Sequence, residues 1–171
     1  MNPFRWASRV YWEDTDGGGI VYYANYLRFL ERARTEWLRT LGYSQRALAE
    51  DPGIVFAVVS LNIEYRRPAK LDDELVITCE PEVEGAASVR FAQRIYRGES
   101  GDVGDGGPPG KDAEVSSLLV EASVRVACVD ARTLRPKRLP EFLAGEAARP
   151  GAVPPDAARP EAARSNIKEP S

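Results

Sequence analysis

The stretch EDTDGGGIVYYANYLRFLERARTEW, residues 13–37, carries the most information about the fold of this chain. Two aspartates and three successive glycines stand directly before a long run with the spacing of an amphipathic helix. A turn that only connects two elements needs one or two of these features. A site that holds a ligand against a helix N-terminus uses all of them, because that terminus exposes unpaired N–H groups and partial positive charge.

The second half of the stretch predicts one long helix over residues 22–41. Apolar residues recur at steps of three or four, which places them on one stripe of a helix. The stripe consists of Tyr26, Leu30, Ala33, Trp37 and Leu41. Charged residues fill the other faces, and Gly42 suits the position after the helix because glycine readily adopts positive φ.

Strand patterns dominate the rest of the chain. A short first strand is predicted at residues 5–12, and alternation with a period of two continues after the helix. The later runs cover residues 54–65, 74–83, 88–97 and 115–129. In the first of them we expect one face to hold Val55, Ala57, Val59, Leu61, Ile63 and Tyr65. Short links between the runs favour antiparallel neighbours, so the class is α+β, one helix against an antiparallel sheet.

We expect a single domain over residues 1–143 with two segments that do not pack. Residues 98–114, GESGDVGDGGPPGKDAE, are rich in Gly, Pro and Asp and predict a flexible insertion loop between two strands. Residues 144–171 contain Ala, Pro and charged residues with almost no large apolar side chains, which predicts a disordered tail.

Composition narrows the classes of function. The chain has no histidine, so it cannot form a Ser-His-Asp triad, a Cys-His pair or a His-ligated zinc site. A net charge of −3 provides no attraction to nucleic acid or anionic membranes. No apolar run approaches the roughly 20 residues of a transmembrane helix, and the N-terminus lacks the apolar centre of a signal peptide. We expect a cytoplasmic protein whose Cys79 and Cys128 are buried free thiols.

The glycine-rich loop is suited to carbonyl chemistry. Its three glycines let a ligand approach the backbone closely, and the first N–H groups of the helix can stabilise a developing oxyanion. Asp16 precedes the glycines and can attack the carbonyl carbon or deprotonate a water molecule. Aspartate and glycine also serve in turns that only connect elements, and the loop alone leaves both interpretations open.

The same residues resemble a known family. Residues 9–26 followed by residues 30–37 resemble the motif of hotdog-fold acyl-CoA thioesterases, nearest to the 4-hydroxybenzoyl-CoA thioesterase family in its Tol–Pal-associated branch. The stretch EYRRPAKLDDEL at residues 64–75 and RPKRLP at residues 135–140 also resemble that branch. The resemblance extends over residues 5–142.

The resemblance implies a hotdog fold, in which one long central helix is wrapped by a curved antiparallel sheet of about five strands. It implies hydrolysis of an acyl-CoA to the free acid and CoA, with no metal or cofactor, by a homodimer or homotetramer with active sites at subunit interfaces. Asp16 matches the catalytic carboxylate, and the backbone N–H of Tyr23 matches the group that polarises the thioester carbonyl. The nearest branch usually has histidine at the position of Tyr23.

For the substrate we expect Gly19 to allow close approach to the backbone, and Arg66 and Arg67, with Lys70, to meet the phosphates of CoA. Glu31 on the helix is a weaker candidate for the catalytic carboxylate. Asp14 is expected to stabilise the turn. The alternative function is a non-catalytic hotdog module that binds acyl-CoA or acyl carrier protein, and a structural role at the cell envelope is weaker still.

Overall fold

The computed structural model describes residues 3–98 and 117–146. It contains a five-stranded antiparallel sheet in the order β1-β3-β4-β5-β2. The strands are β1 (Phe4–Arg9), β2 (Ile54–Tyr65), β3 (Glu74–Val83), β4 (Ser88–Arg97) and β5 (Leu118–Asp130), and the helices are α1 (Tyr26–Thr40), α2 (Gln45–Glu50) and α3 (Glu141–Glu146). The predicted α+β class is confirmed. Residues 99–114 of the predicted insertion loop and residues 147–171 of the predicted tail lie outside the described residues.

The long helix predicted from the apolar stripe is present as α1. Its first turn is a 3-10 turn at Tyr23–Asn25, and the α-helix runs from Tyr26 to Thr40. The face that packs on the sheet is buried and consists of Tyr26, Phe29, Leu30, Ala33, Trp37 and Leu38. Ile77 and Ile95 from the middle of the sheet are fully buried in the same cluster. The helix therefore fills the concave side of the sheet.

Strand β2 differs from the expectation because it contains a β-bulge. Val58 lies opposite Val126 and Ser60 lies opposite Arg125, so Val59 is an extra residue in the register. Since side chains alternate along a strand, one extra residue exchanges the two faces from that point onward. The side toward α1 carries Phe56 and Val58 before the bulge and Leu61, Ile63 and Tyr65 after it. The prediction that Val55, Ala57 and Val59 share a face with those last three residues is wrong.

Several element ends also differ from the predicted ones. Strand β1 ends at Arg9, and the chain then forms a 3-10 turn at Trp12–Asp14. Helix α2 was not predicted, although Ser44 accepts a hydrogen bond from the N–H of Ala47 at 3.2 Å, as an N-cap residue does. Helix α3 was not predicted either, and it continues three residues beyond the predicted domain end at residue 143.

Both cysteines are buried free thiols, as expected. Cys79 is a residue of β3 with no exposed surface, and burial raises the pKa of its thiol. Burial also raises the pKa of the Cys128 thiol. Within residues 3–98 and 117–146, none of the helices combines the length and the apolar character that crossing a membrane requires.

Candidate active site

The glycine-rich loop closes a tight turn just before α1. The N–H of Asp16 donates to the carbonyl oxygen of Ile20 at 2.9 Å, and the N–H of Gly19 donates to the carbonyl oxygen of Asp16 at 3.0 Å. On the far side, the N–H of Val21 donates to the carbonyl oxygen of Ala69 at 2.9 Å. The two stretches that carried the family resemblance, residues 9–26 and 64–75, therefore meet in space.

Asp14 is a structural residue of this loop. Its side chain is buried, with 2% of its surface exposed, and one carboxylate oxygen accepts a hydrogen bond from the N–H of Tyr11 at 2.9 Å. Its carbonyl oxygen accepts from the N–H of Tyr22 at 2.9 Å and from the side-chain amide of Asn25 at 3.0 Å. These contacts join the incoming strand to the first turn of the helix, which supports the turn-stabilising role expected for Asp14.

Asp16 has a different environment from Asp14. Its side chain is exposed, and one carboxylate oxygen accepts a hydrogen bond from the N–H of Gly18 at 2.7 Å. In the part of the chain that the structure describes, Asp16 has no ion-pair partner within 4.0 Å. A Cβ at position 18 would lie 3.0 Å from that oxygen, so a larger residue there would crowd the carboxylate and shift it. Gly19 has a φ of +73°, which other residues rarely adopt.

Tyr23 is the first residue of the 3-10 turn. Among the described residues, its backbone N–H has no hydrogen-bond acceptor, as expected for the first turn of a helix. Its carbonyl oxygen accepts a hydrogen bond from the hydroxyl of Tyr65 at 3.0 Å. The last residue of β2 thus holds the peptide that follows the free N–H. Tyr65 had no predicted role, since the sequence shows only its place on a strand.

Aromatic side chains surround this helix start. The rings of Tyr22 and Tyr23 are 4.8 Å apart, and the ring of Tyr65 lies 5.6 Å from that of Tyr26. The pKa of the Tyr22 hydroxyl is raised, first by its hydrogen bond with Tyr23 and, as the smallest cause, by the negative charge of Asp16. Asp16 therefore lies within electrostatic range of the tyrosines at the helix start.

The three cationic residues predicted to meet the phosphates of CoA differ in their ion pairs and hydrogen bonds. The Arg66 guanidinium forms ion pairs with Glu64 and, at 3.5 Å, with Glu121, so its charge is already balanced. The backbone N–H of Arg67 donates to the carbonyl oxygen of Leu119 at 3.1 Å. Lys70 forms an antiparallel bridge with Ile20 of the loop, and its side chain is exposed. Of the three cations, the one bridged directly to the glycine-rich loop is thus Lys70.

Glu31, the weaker candidate for a catalytic carboxylate, belongs to another part of the molecule. Its carboxylate accepts hydrogen bonds from the hydroxyl of Thr35 at 2.7 Å and from the side-chain amide of Gln45 at 3.5 Å. It borders a cavity between α1, α2 and the sheet rather than the loop. The loop itself brings together Asp16, Gly19 and Tyr23.

Comparison with known proteins identifies relatives along most of the chain. Residues 18–103 match the model of the thioesterase superfamily. An acyl-CoA thioesterase (YbgC) of Haemophilus influenzae is 41% identical over 140 residues, which is 82% of this chain and 90% of the relative. An acyl-CoA thioester hydrolase (YbgC) of Escherichia coli is 42% identical over 143 residues, which is 84% of this chain and 94% of the relative.

Solved structures show the same fold. A probable thioesterase from Bartonella henselae has a TM-score of 0.67 with 33% identity and covers 81% of this chain and all (100%) of the other. A 1,4-dihydroxy-2-naphthoyl-CoA thioesterase from Synechocystis has a TM-score of 0.72 with 21% identity, over 86% of this chain and 97% of the other. These matches confirm the hotdog architecture that the family resemblance implies.

The surroundings of Asp14 predict that it contributes to stability. In Asp14→Ala, the loop loses a buried carboxylate and the N–H of Tyr11 loses its acceptor, and we expect the free energy of unfolding to fall by about 1–3 kcal/mol. Glu13→Ala, at the exposed neighbouring position, is the control and should change it by less than about 0.5 kcal/mol. Urea unfolding followed by circular dichroism measures both values. Equal stability of the two variants would contradict a structural role for Asp14.

Proposed function

This chain belongs to the thioesterase superfamily, and from that premise we propose how it hydrolyses the thioester of an acyl-CoA to the free acid and CoA. In this proposal the thioester carbonyl oxygen binds to the backbone N–H of Tyr23, and the carboxylate of Asp16 drives the attack on the carbonyl carbon. The observation that carries it is the N–H of Tyr23, which has no acceptor among the described residues and lies at a helix start whose preceding loop presents an exposed carboxylate.

The oxyanion site rests on backbone groups alone. When the carbonyl carbon becomes tetrahedral, negative charge develops on its oxygen, and preorganised N–H donors stabilise that charge more than they stabilise the substrate. The hydrogen bond from Tyr65 to the carbonyl oxygen of Tyr23 fixes the orientation of the turn before substrate arrives. The partial positive charge at the N-terminus of α1 also stabilises the negative charge on the carbonyl oxygen.

Asp16 has two chemically sound roles. Its carboxylate can attack the carbonyl carbon and form an anhydride that water then hydrolyses, or it can accept a proton from an attacking water molecule. In both cases one carboxylate oxygen remains held by the N–H of Gly18 while the other is available. Gly19, with no Cβ, allows the thioester to approach the loop backbone.

The reaction does not need a histidine. The leaving group is a thiol with a pKa of about 8.5, by analogy with cysteine, so it departs as thiolate with little help from a general acid. A carboxylate and an oxyanion donor are then sufficient. This agrees with a chain of 171 residues that contains no histidine.

For the CoA portion we propose a cationic patch formed by Arg66, Arg67 and Lys70. Lys70 has the strongest support, because it bridges to Ile20 beside the glycine loop and carries an exposed ammonium group. Arg66 would have to exchange its ion pairs with Glu64 and Glu121 for phosphate contacts. Both pairs are largely exposed, so that exchange has a small energetic cost.

We also propose that two copies associate through β2. This strand lies at the edge of the sheet and is 12 residues long, which leaves a long row of unpaired backbone groups. Val58, Val59 and Leu61 are 57%, 54% and 39% exposed along it. Antiparallel pairing of two β2 strands would cover these side chains and extend the sheet to ten strands. Homodimer and dimer-of-dimers both contain this contact.

The catalytic role of Asp16 predicts a specific loss of turnover. We expect Asp16→Asn to lower kcat for an acyl-CoA by a factor on the order of 10²–10⁴, because the amide is neither a base nor a nucleophile. Asparagine keeps an oxygen that can accept from Gly18, so the unfolding midpoint should stay unchanged. Thiol release from short, long and aromatic acyl-CoAs measures the rate, with Glu13→Gln as the control. An Asp16→Asn enzyme that keeps more than about a tenth of the activity would show that another group performs this step.

Association through β2 predicts that charge on this edge separates the copies. In Val59→Arg/Leu61→Arg, like charges meet across the two-fold axis, and light scattering at micromolar concentration should give the mass of one chain. The control is Leu134→Arg, at another exposed apolar side chain, which should keep the mass of the unaltered protein. An unaltered protein that is monomeric while it turns over acyl-CoA would refute the proposed interface.

A further inference from the structure

A cavity separate from the glycine loop lies beneath the second half of α1. Its volume is about 210 Å³, and it is lined by residues of α1, α2, α3 and the side of the sheet that faces α1. Most of its wall is apolar, including Trp37, Phe56, Val58, Phe91 and Val126. Three polar side chains also border it: Glu31, Arg34 and Gln45. A cavity with apolar walls and a few fixed polar groups is typical of a small-molecule site.

Arg34 is a charged side chain of this cavity, and hydrogen bonds through Gln93 fix its position. One terminal nitrogen of its guanidinium donates to the side-chain oxygen of Gln93 at 2.8 Å. Gln93 is only 1% exposed, and its amide nitrogen donates to the carbonyl oxygen of Leu30 at 3.0 Å. Because this second bond fixes the amide orientation, Gln93 presents its oxygen to Arg34. The guanidinium carbon lies 6.0 Å from the centre of the Phe91 ring.

The guanidinium retains donors that the protein does not use. Arginine has five N–H groups, and within the described residues Arg34 has the one hydrogen bond to Gln93 and no carboxylate within 4.0 Å. Glu31 is more distant and is engaged by Thr35 and Gln45. Burial lowers the pKa of Arg34, yet a guanidinium stays protonated at neutral pH. A half-buried cation in an apolar wall is stabilised when an anion joins it.

We propose that this cavity binds the acyl group of the substrate and that Arg34 selects acyl groups with a carboxylate at their far end. The substrate class is the mono-CoA thioester of a short dicarboxylic acid. Its methylene chain would contact the apolar wall, and its distal carboxylate would take up the free donors of Arg34. Gln93 is a positioning residue that keeps the guanidinium directed toward the ligand.

The two-fold arrangement explains how a thioester reaches this cavity. Tyr23 and Arg34 are 11 residues apart, about 17 Å along a helix, which separates the cavity from the loop of the same chain. Antiparallel pairing of β2 about an axis near Ser60 would bring the Tyr65 end of one copy to the Phe56 end of the other. The thioester carbonyl then lies at Tyr23 of one copy, and the acyl group extends into the cavity of the other copy. This inference rests on the proposed function.

The test compares two thioesters that differ in one end group, adipoyl-CoA and hexanoyl-CoA. We expect the protein to prefer adipoyl-CoA in kcat/KM by about ten- to a hundredfold, the effect of one hydrogen bond to a charged group. Arg34→Gln, which replaces the guanidinium by a neutral polar side chain, should abolish this preference, measured as the ratio of kcat/KM for the two thioesters in the same enzyme. The control is Arg32→Gln, at an exposed position on the same helix, which should leave the preference unchanged.

Two further measurements separate this inference from the proposed function. Arg34→Lys keeps the charge and should retain part of the preference, whereas a role limited to packing would not distinguish lysine from glutamine. Free adipate should raise the thermal midpoint of the unaltered protein more than hexanoate does, and this readout needs no turnover. Failure to hydrolyse any of the short, long and aromatic acyl-CoAs would overturn the proposed function. Equal kcat/KM for both thioesters, or equal stabilisation by both acids, would overturn the role of Arg34.

Discussion

The start of helix α1 is the point on which the rest of this structure depends. The N–H of Tyr23 has no acceptor among the described residues, and neighbouring elements hold its turn from both sides: Asp14 and Asn25 join it to the incoming chain, and Ala69 and Tyr65 join it to the sheet. A helix N-terminus left to fray would present the same N–H groups in many orientations. Here these contacts fix the orientation of the turn, so the helix dipole and the N–H of Tyr23 are directed at one place.

The sequence predicted the elements of the fold well, for a physical reason. Alternation with a period of two is a local property, so the bounds of β2, β3 and β4 agree with the predicted runs. The pattern does not reveal the bulge at Val59, because residues 54–59 are all apolar and no polar residue marks the solvent face of that half of the strand. Register is decided by pairing with β5, which is a long-range property.

The same distinction between local and long-range properties separates the predicted from the unpredicted residues of the candidate site. Asp16, Gly19 and Tyr23 lie close together in the sequence, so a local pattern is enough to group them, and the relatives support hydrolysis of an acyl-CoA thioester. Tyr65 and Gln93 act across 42 and 59 residues, so local patterns contain no trace of their partners. Arg34 stands among other charged helix residues, and only the packed structure shows that it faces inward. Roles that arise from contacts between distant elements need coordinates.

The buried state of Cys79 and Cys128 has a practical consequence. Disulfide reagents that report free CoA by a colour change also react with accessible protein thiols, which often obscures slow reactions. These two cysteines are the only ones in the chain, and both lie inside the fold with raised pKa values, where thiolate is scarce. Native enzyme will therefore contribute almost no background signal, and a gradual rise in the blank will reveal unfolding of the sample instead of catalysis.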